Sequence, residues 1–194
     1  KVRFDGGHKH DRYITDTLGD YFTFQAYCPE IAIGLGVPRE PIRLVGDPEK
    51  PRLVGTKDET FDVTDAMQTY SQETCRQLPE QMCGYILKSK SPTCGMTRLK
   101  VYHINGNANA NTQGLFAKAL MELNPCLPVE EEGRLCDSVL RENFIERVFL
   151  FRRWKDMMQS GLTADKLIQF HSQHKLSLMA HHVISYKELG GMLS

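Results

Sequence analysis

The sequence predicts an α/β fold, with a Rossmann-like, mostly parallel sheet followed by a partial all-helical C-terminal domain. Three observations carry that expectation. Short β-like runs alternate with helical stretches up to about residue 130, the order that a parallel sheet with crossover helices requires. From Leu135 onward the pattern turns helical, with Val139, Phe144, Val148, Phe151 and Trp154 near helical spacing. Charge divides along the same line: residues 1–138 hold 16 Lys+Arg against 19 Asp+Glu, and residues 139–194 hold 8 against 5. The first part is therefore net −3 and the second +3. The expected division is 1–137 and 138–194.

Each element follows from its residues. Tyr21–Tyr27 alternates and is rich in aromatics, so it reads as a strand that stops at Cys28-Pro29-Glu30. Ile31 to Pro41 starts apolar, but its glycines and prolines make it a structured loop with at most one helical turn. Ile42–Val45 and Pro51–Val54 are short strands. Thr64 is placed to cap a helix from Asp65 to about Leu78, which Pro79 interrupts. Gly84–Lys88 and Val101–Ile104 are further strands, and Ser89–Gly95 between them is a turn-rich loop. Asn105–Asn111 is polar and mobile by composition. Thr112 is placed to cap a helix through Leu115, Phe116, Ala119, Leu120 and Leu123, and Cys126–Val129 reads as the last strand. In the tail, Thr163 caps a helix through Leu167, Phe170, His171, His174, Leu178 and His181.

Composition narrows the function classes. The chain has 194 residues, 41% hydrophobic and 25% charged, with zero formal net charge. At roughly 150 residues per domain this is one full domain and part of a second. The balance excludes a disordered chain and a strongly basic nucleic-acid arm. No apolar stretch approaches the roughly 18 residues that span a bilayer, so no membrane partner is expected. The opening Lys1-Val2-Arg3-Phe4-Asp5 is charged, so no secretory leader is expected. Six irregularly spaced cysteines and eight methionines then point to free thiols in a reducing cytoplasm.

Cys28 and Cys94 stand apart from Cys75, Cys83, Cys126 and Cys136, which read as small buried hydrophobes. Each of the two sits where a strand ends in a proline-containing loop, and in an open α/β sheet such loops converge on the ligand crevice. Glu30 follows Cys28 by two residues and Ser91 precedes Cys94 by three. Spacing alone leaves a metal site, a redox pair and chance coincidence open.

The motifs together are more specific. Arg3-Phe4-Asp5-Gly6-Gly7, Cys28-Pro29-Glu30-Ile31-Ala32-Ile33-Gly34-Leu35-Gly36, Pro38-Arg39 and Ser91-Pro92-Thr93-Cys94-Gly95 resemble the thiouracil desulfurase family. The tail, through Asn143-Phe144-Ile145-Glu146-Arg147, Phe170-His171, His174-Lys175 and Ala180-His181, resembles the helical domain fused to it in tRNA 4-thiouridine desulfidases. The resemblance implies a 4Fe-4S cluster held by three thiolates, with the fourth iron open to the substrate's sulfur. Soft thiolates suit such clusters. It implies Cys28 and Cys94 as two of the ligands, with the third expected upstream of Lys1. It implies Glu30 as the general base for the attacking water and Ser91 as a hydrogen-bonding partner of the substrate. Asp5, Gly6 and Gly7 match the first motif, where glycines let backbone approach the cluster. The implied substrate is a thiolated uracil, most of all 4-thiouridine in tRNA. Free thiouracil or a thiolated nucleotide, and a non-catalytic RNA-binding or iron–sulfur module, are the alternatives. A plain reading stays open for each residue: Glu30 as a helix-start carboxylate, Ser91 as a turn residue, Asp5-Gly6-Gly7 as a turn.

His171, His174 and His181 fall at i, i+3 and i+10, with His182 adjacent. Such a pattern without a carboxylate or cysteine is a poor zinc signal. With Lys175 and Arg152-Arg153 the first two could instead meet phosphates, or the helix could simply present a solvated face. Tyr27 could stack on a base or sit in the core.

Overall fold

The computed structural model describes residues 4–7, 10–103 and 108–193. Arg3 of the first motif, Ile104 of the expected strand and Asn105–Asn107 of the polar run lie outside the described residues. The chain divides into two compact units, residues 1–145 and 146–194.

The first unit is a mixed α/β structure. After a short irregular helical segment (Tyr13–Asp20) come α1 (Pro29–Ala32), β1 (Ile42–Asp47), β2 (Lys50–Gly55), α2 (Thr64–Arg76) and β3 (Tyr85–Leu87). Then follow β4 (Leu99–Tyr102), β5 (Ala108–Thr112), α3 (Leu115–Leu123) and β6 (Val129–Glu131). One sheet has the order β2-β1-β4-β5 and a second pairs β3 with β6. β1 is parallel to β4 and β3 to β6, whereas β1–β2 and β4–β5 are antiparallel. The α/β class and the helical C-terminal part thus stand, with a mixed sheet in place of a mostly parallel one. The reason is the connections: β1 and β2 are joined by two residues, Pro48-Glu49, too few for a crossover.

The core lies where the sheet meets α2 and α3. Leu44, Leu53, Val54 and Val101 come from the strands, Met67 and Cys75 from α2, and Phe116 and Leu120 from α3, all essentially without exposure. Met67, Ser71 and Cys75 recur every four residues, so one stripe of α2 is buried. Burying Phe116 contributes about 2 kcal/mol by area. Its ring also begins an aromatic chain: Phe116 to Tyr85 at 5.9 Å, then Tyr85 to Tyr27 at 6.0 Å, between centroids. That chain leads from the core to the residue before Cys28.

Two elements differ from the sequence expectation. Tyr21–Tyr27 forms no strand among the described residues: Tyr21 closes the preceding helical segment (φ −111°, ψ −23°), and Tyr21 and Phe24 are 72% and 47% exposed. Ala108–Thr112, which takes in the end of the run read as mobile, is a strand against β4. Helix caps also shift. Thr64 Oγ1 accepts from the Leu53 amide, and Asp62 Oδ1 accepts from the Thr64 amide at the start of α2. Gly114, not Thr112, precedes α3.

α4 (Ser138–Gln159) begins in the first unit and continues into the second. It is followed there by α5 (Ala164–Gln173) and α6 (Lys175–Met192). Thr163 caps α5 as expected, its hydroxyl accepting from the Lys166 amide at 3.3 Å. α6 is interrupted at His182, which is extended (φ −160°, ψ 99°). No helix among the described residues is long and apolar enough to cross a membrane.

Candidate active site

Cys28 is the extended residue that leads into α1 (φ −128°, ψ 97°). Pro29 follows at the first helical position, where its fixed φ suits the turn and its missing N–H costs nothing. The turn places Glu30 one residue further in. Gly34 and Gly36 at φ +89° and +68° then carry the chain back on itself, a conformation that side chains disfavour. The result is that Arg39 returns onto Glu30. Its Nε and Nη2 reach Glu30 Oε2 at 2.8 and 2.7 Å, with the two side chains only 6% and 13% exposed. Arg39 Nη1 donates to the Gly36 carbonyl at 3.1 Å. The Arg39 amide donates to the Phe4 carbonyl at 2.7 Å. The Asp5-Gly6-Gly7 turn, closed by Gly7 N–H to Asp5 Oδ1 at 3.0 Å, is therefore tied to the same loop.

The loop after β3 forms the other half. Ser91 Oγ accepts from the amides of Thr93 (3.3 Å) and Cys94 (3.1 Å), and the Gly95 amide donates to the Ser91 carbonyl at 2.8 Å. Ser91 thus heads a tight turn that presents Cys94. Thr93 is fully buried. Its Oγ1 donates to Glu30 Oε1 at 2.9 Å and lies 2.8 Å from Ser91 Oγ and 3.5 Å from Cys94 Sγ. Ser91 Oγ itself is 3.4 Å from Glu30 Oε1. The first turn of α3 holds the loop from behind: the amides of Phe116 and Ala117 donate to the Thr93 carbonyl at 3.0 and 3.1 Å. Buried carboxylates of β6 and its end hold the flanks. Glu131 accepts from the Met96 amide at 2.6 Å, and Glu132 accepts from the Ser89 amide at 2.7 Å and pairs with Lys88.

The surroundings of Cys94 shift its thiol. The Cys94 thiol is pushed up to about 12, chiefly by burial; the Thr93 hydrogen bond opposes this, and the nearby charges of Glu30 and Cys28 add to it. A buried thiol of this kind is protonated at neutral pH and becomes a thiolate only when a positive partner arrives. Burial also raises the pKa of the Tyr85 phenol, with Cys94 the next cause. Tyr27 is half-buried against the Tyr85 ring.

The other cysteines stay out of the site. Cys75 is buried in α2, with its thiol pushed up to about 11 by burial. Cys83 Sγ bonds the Gln81 carbonyl, and Cys126 and Cys136 are exposed. Exposure overturns the buried-hydrophobe expectation for the last two: Cys126 lies in a turn and Cys136 ends a short 3-10 helix (Arg134–Cys136). Among the described residues no three His, Cys, Asp or Glu side chains form a metal-binding group. The thiols of Cys28 and Cys94 are the donor type that iron–sulfur clusters take.

In the second unit the histidines disperse. The His171 ring stacks on Tyr186 at 4.5 Å and its Nε2 meets the Tyr186 carbonyl at 3.0 Å. His174 is buried against Phe170, whose ring meets Trp154 edge-on. His181 lies 3.8 Å from Glu146, and His182 Nδ1 meets Ser185 Oγ at 2.8 Å. A phosphate contact through His174 is ruled out by its burial; Arg153 and Lys175 remain exposed.

Sequence reasoning named Cys28, Glu30, Ser91 and Cys94 but gave no role to Arg39 or Thr93, although both stood inside quoted motifs. Gly114, Glu131 and Glu132 carried no local signal at all.

With this geometry in hand, similarities to known proteins can be placed on it. A model of the 2-thiouracil desulfurase family matches residues 1–132. Among solved structures, the chain is similar to the 4Fe-4S-dependent thiouracil desulfidase TudS, with 26% identity and a TM-score of 0.55. That match covers 73% of this chain and 89% of the other. No curated protein matches the chain.

Proposed function

The chain belongs to the 2-thiouracil desulfurase family, and on that premise we propose that it is a desulfidase replacing the sulfur of a thiolated uracil with oxygen from water. The observation that supports this reading is the Glu30 carboxylate, two residues after Cys28, held by Arg39, Thr93 and Ser91 within the hydrogen-bonded turn that presents Cys94.

Cys28 and Cys94 would hold a 4Fe-4S cluster, which when bound supplies an iron open to a thiocarbonyl sulfur. The remaining chemistry falls to the chain. Water adds to the thiocarbonyl carbon and loses a proton, the carbon–sulfur bond breaks, and sulfur leaves as sulfide. No electrons are transferred. Glu30 is the base for that proton, a task a positioned carboxylate can perform. Its Oε2 is fixed by Arg39, so its Oε1 faces the Ser91–Cys94 loop. Ser91 lies beside Oε1 with its oxygen fixed by two amides and 2.8 Å from the Thr93 hydroxyl oxygen, so that it orders the hydroxyl groups around the carboxylate. Tyr27 and Tyr85 supply aromatic surface next to the thiols for a planar base. A reducing cytoplasm suits these thiols.

The substrate is read as 4-thiouridine in tRNA because residues 139–194 carry net +3 and present Arg153 and Lys175 to solvent. A base in tRNA would have to leave its stack to react. The experiment is anaerobic reconstitution with iron and sulfide, then incubation with 2-thiouracil, 4-thiouracil and 4-thiouridine-containing tRNA, followed by nucleoside analysis and sulfide assay. Release of sulfide and the oxo base in equal amounts supports the reading, and preference for tRNA supports its finer form. A loaded protein that converts none of the three contradicts it.

A further inference from the structure

Thr93 is the one fully buried hydroxyl among the described residues of the site, and its hydrogen bonds form a directional chain. Ser91 Oγ has two lone pairs, and both are used by the amides of Thr93 and Cys94. Its single hydrogen is left to donate. The nearest acceptor is Thr93 Oγ1 at 2.8 Å, against 3.4 Å to Glu30 Oε1. Thr93 then has one hydrogen of its own. Glu30 Oε1 at 2.9 Å is a far better acceptor than Cys94 Sγ at 3.5 Å. Two backbone amides therefore donate to Ser91, Ser91 to Thr93, and Thr93 to Glu30, while Arg39 fixes the other carboxylate oxygen.

We propose that Thr93 is a positioning residue that couples Ser91 to Glu30: it sets the direction of the Ser91 hydroxyl and the plane of the Glu30 carboxylate without touching substrate. This rests on the reading of Glu30 as the base. It follows that Ser91 and Glu30 act as one unit, and that the hydroxyl of Thr93 matters while its methyl does not. Valine is the informative replacement, since it keeps the shape and removes the hydroxyl. Serine removes the methyl and keeps the hydroxyl.

The test compares Thr93→Val and Thr93→Ser with the parent, in kinetics on thiouracil and in crystals of all three. Thr93→Val is expected to lower kcat at least 10-fold with KM within threefold, and Thr93→Ser to recover kcat to within threefold of the parent. In crystals, Thr93→Val is expected to turn the Glu30 carboxylate and the Ser91 hydroxyl away from their parental positions, and Thr93→Ser to retain them. Thr93→Val turning over like the parent, or losing activity with Glu30 and Ser91 unmoved, overturns the proposal. So does Thr93→Ser being as impaired as Thr93→Val. The crystals decide even if the parent proves inactive on thiouracil, which would count against the proposed reaction and not against this coupling.

Discussion

A Cβ at Gly114 would lie 2.4 Å from both the carbonyl carbon and the carbonyl oxygen of Thr93 and 2.8 Å from the amide nitrogen of Cys94. The backbone that starts α3 and the backbone that presents Cys94 are in direct contact, and no side chain fits between them.

Gly114→Ala is therefore expected to displace the Thr93–Cys94 segment and to destabilise the protein by about 2 kcal/mol or more, the scale of an overpacked interior. Chemical denaturation measures this. Gly133→Ala is the control, because the nearest atom to its Cβ is Ser89 Oγ at 3.7 Å, and its midpoint is expected to stay near the parent's. Cluster loading by Gly114→Ala should fall in parallel with stability.

Arg39→Met leaves the Glu30 carboxylate nearly buried without its ionic partner. Removing one member of such a pair costs about 3 kcal/mol, read as a lower denaturation midpoint. Arg39→Lys restores the charge but not the two-nitrogen contact to Oε2, so its stability is expected to be intermediate. Turnover should stay below a tenth of the parent value in both variants, because the carboxylate plane is no longer fixed. Full activity in Arg39→Lys would show that charge alone suffices.

The second unit should lose stability in mild acid. Burial holds the His174 imidazole below its usual range, and the Arg153 charge adds to this. The unfolded chain then binds a proton that the folded chain resists. The stabilising contribution is complete above the unfolded value of about 6.5 and is lost as pH falls from there through the lowered folded value. Trp154 is the single tryptophan and its ring meets Phe170 at 5.4 Å, so its fluorescence reports this cluster. The denaturation midpoint followed by Trp154 should fall between pH 7.5 and 5.5, and His174→Gln should flatten that slope. Parallel slopes in both proteins would exclude His174 as the source.

Local chemistry made part of this legible. Ile42–Val45, Pro51–Val54 and the Leu115–Leu123 helix were readable because each is an apolar run whose residues enter the core, Leu44, Leu53, Val54, Phe116 and Leu120 among them. The Thr163 cap was readable because it is a local hydrogen bond. Tyr21–Tyr27 misled because alternation shows only that a segment could pair, whereas pairing needs a partner strand elsewhere. β5 was hidden for the converse reason: its asparagines have poor strand propensity, and backbone pairing to β4 overrides that. In the site, Cys28, Glu30, Ser91 and Cys94 were legible as motif residues. What holds them comes from distant sequence: Gly114 makes room for Thr93, Glu131 binds the Met96 amide, and Glu132 binds Ser89. No spacing within either motif encodes those contacts.

The most direct test of the central claim separates the carboxylate from the thiols. Glu30→Gln, made in the full-length chain that carries the expected upstream ligand and reconstituted anaerobically beside the parent, should take up iron and sulfide to the same visible absorbance while its thiouracil turnover falls at least 100-fold. Cys94→Ser should lose both. Glu30→Gln that turns over at the parental rate, or Cys94→Ser that loads a cluster as fully as the parent, would contradict the account.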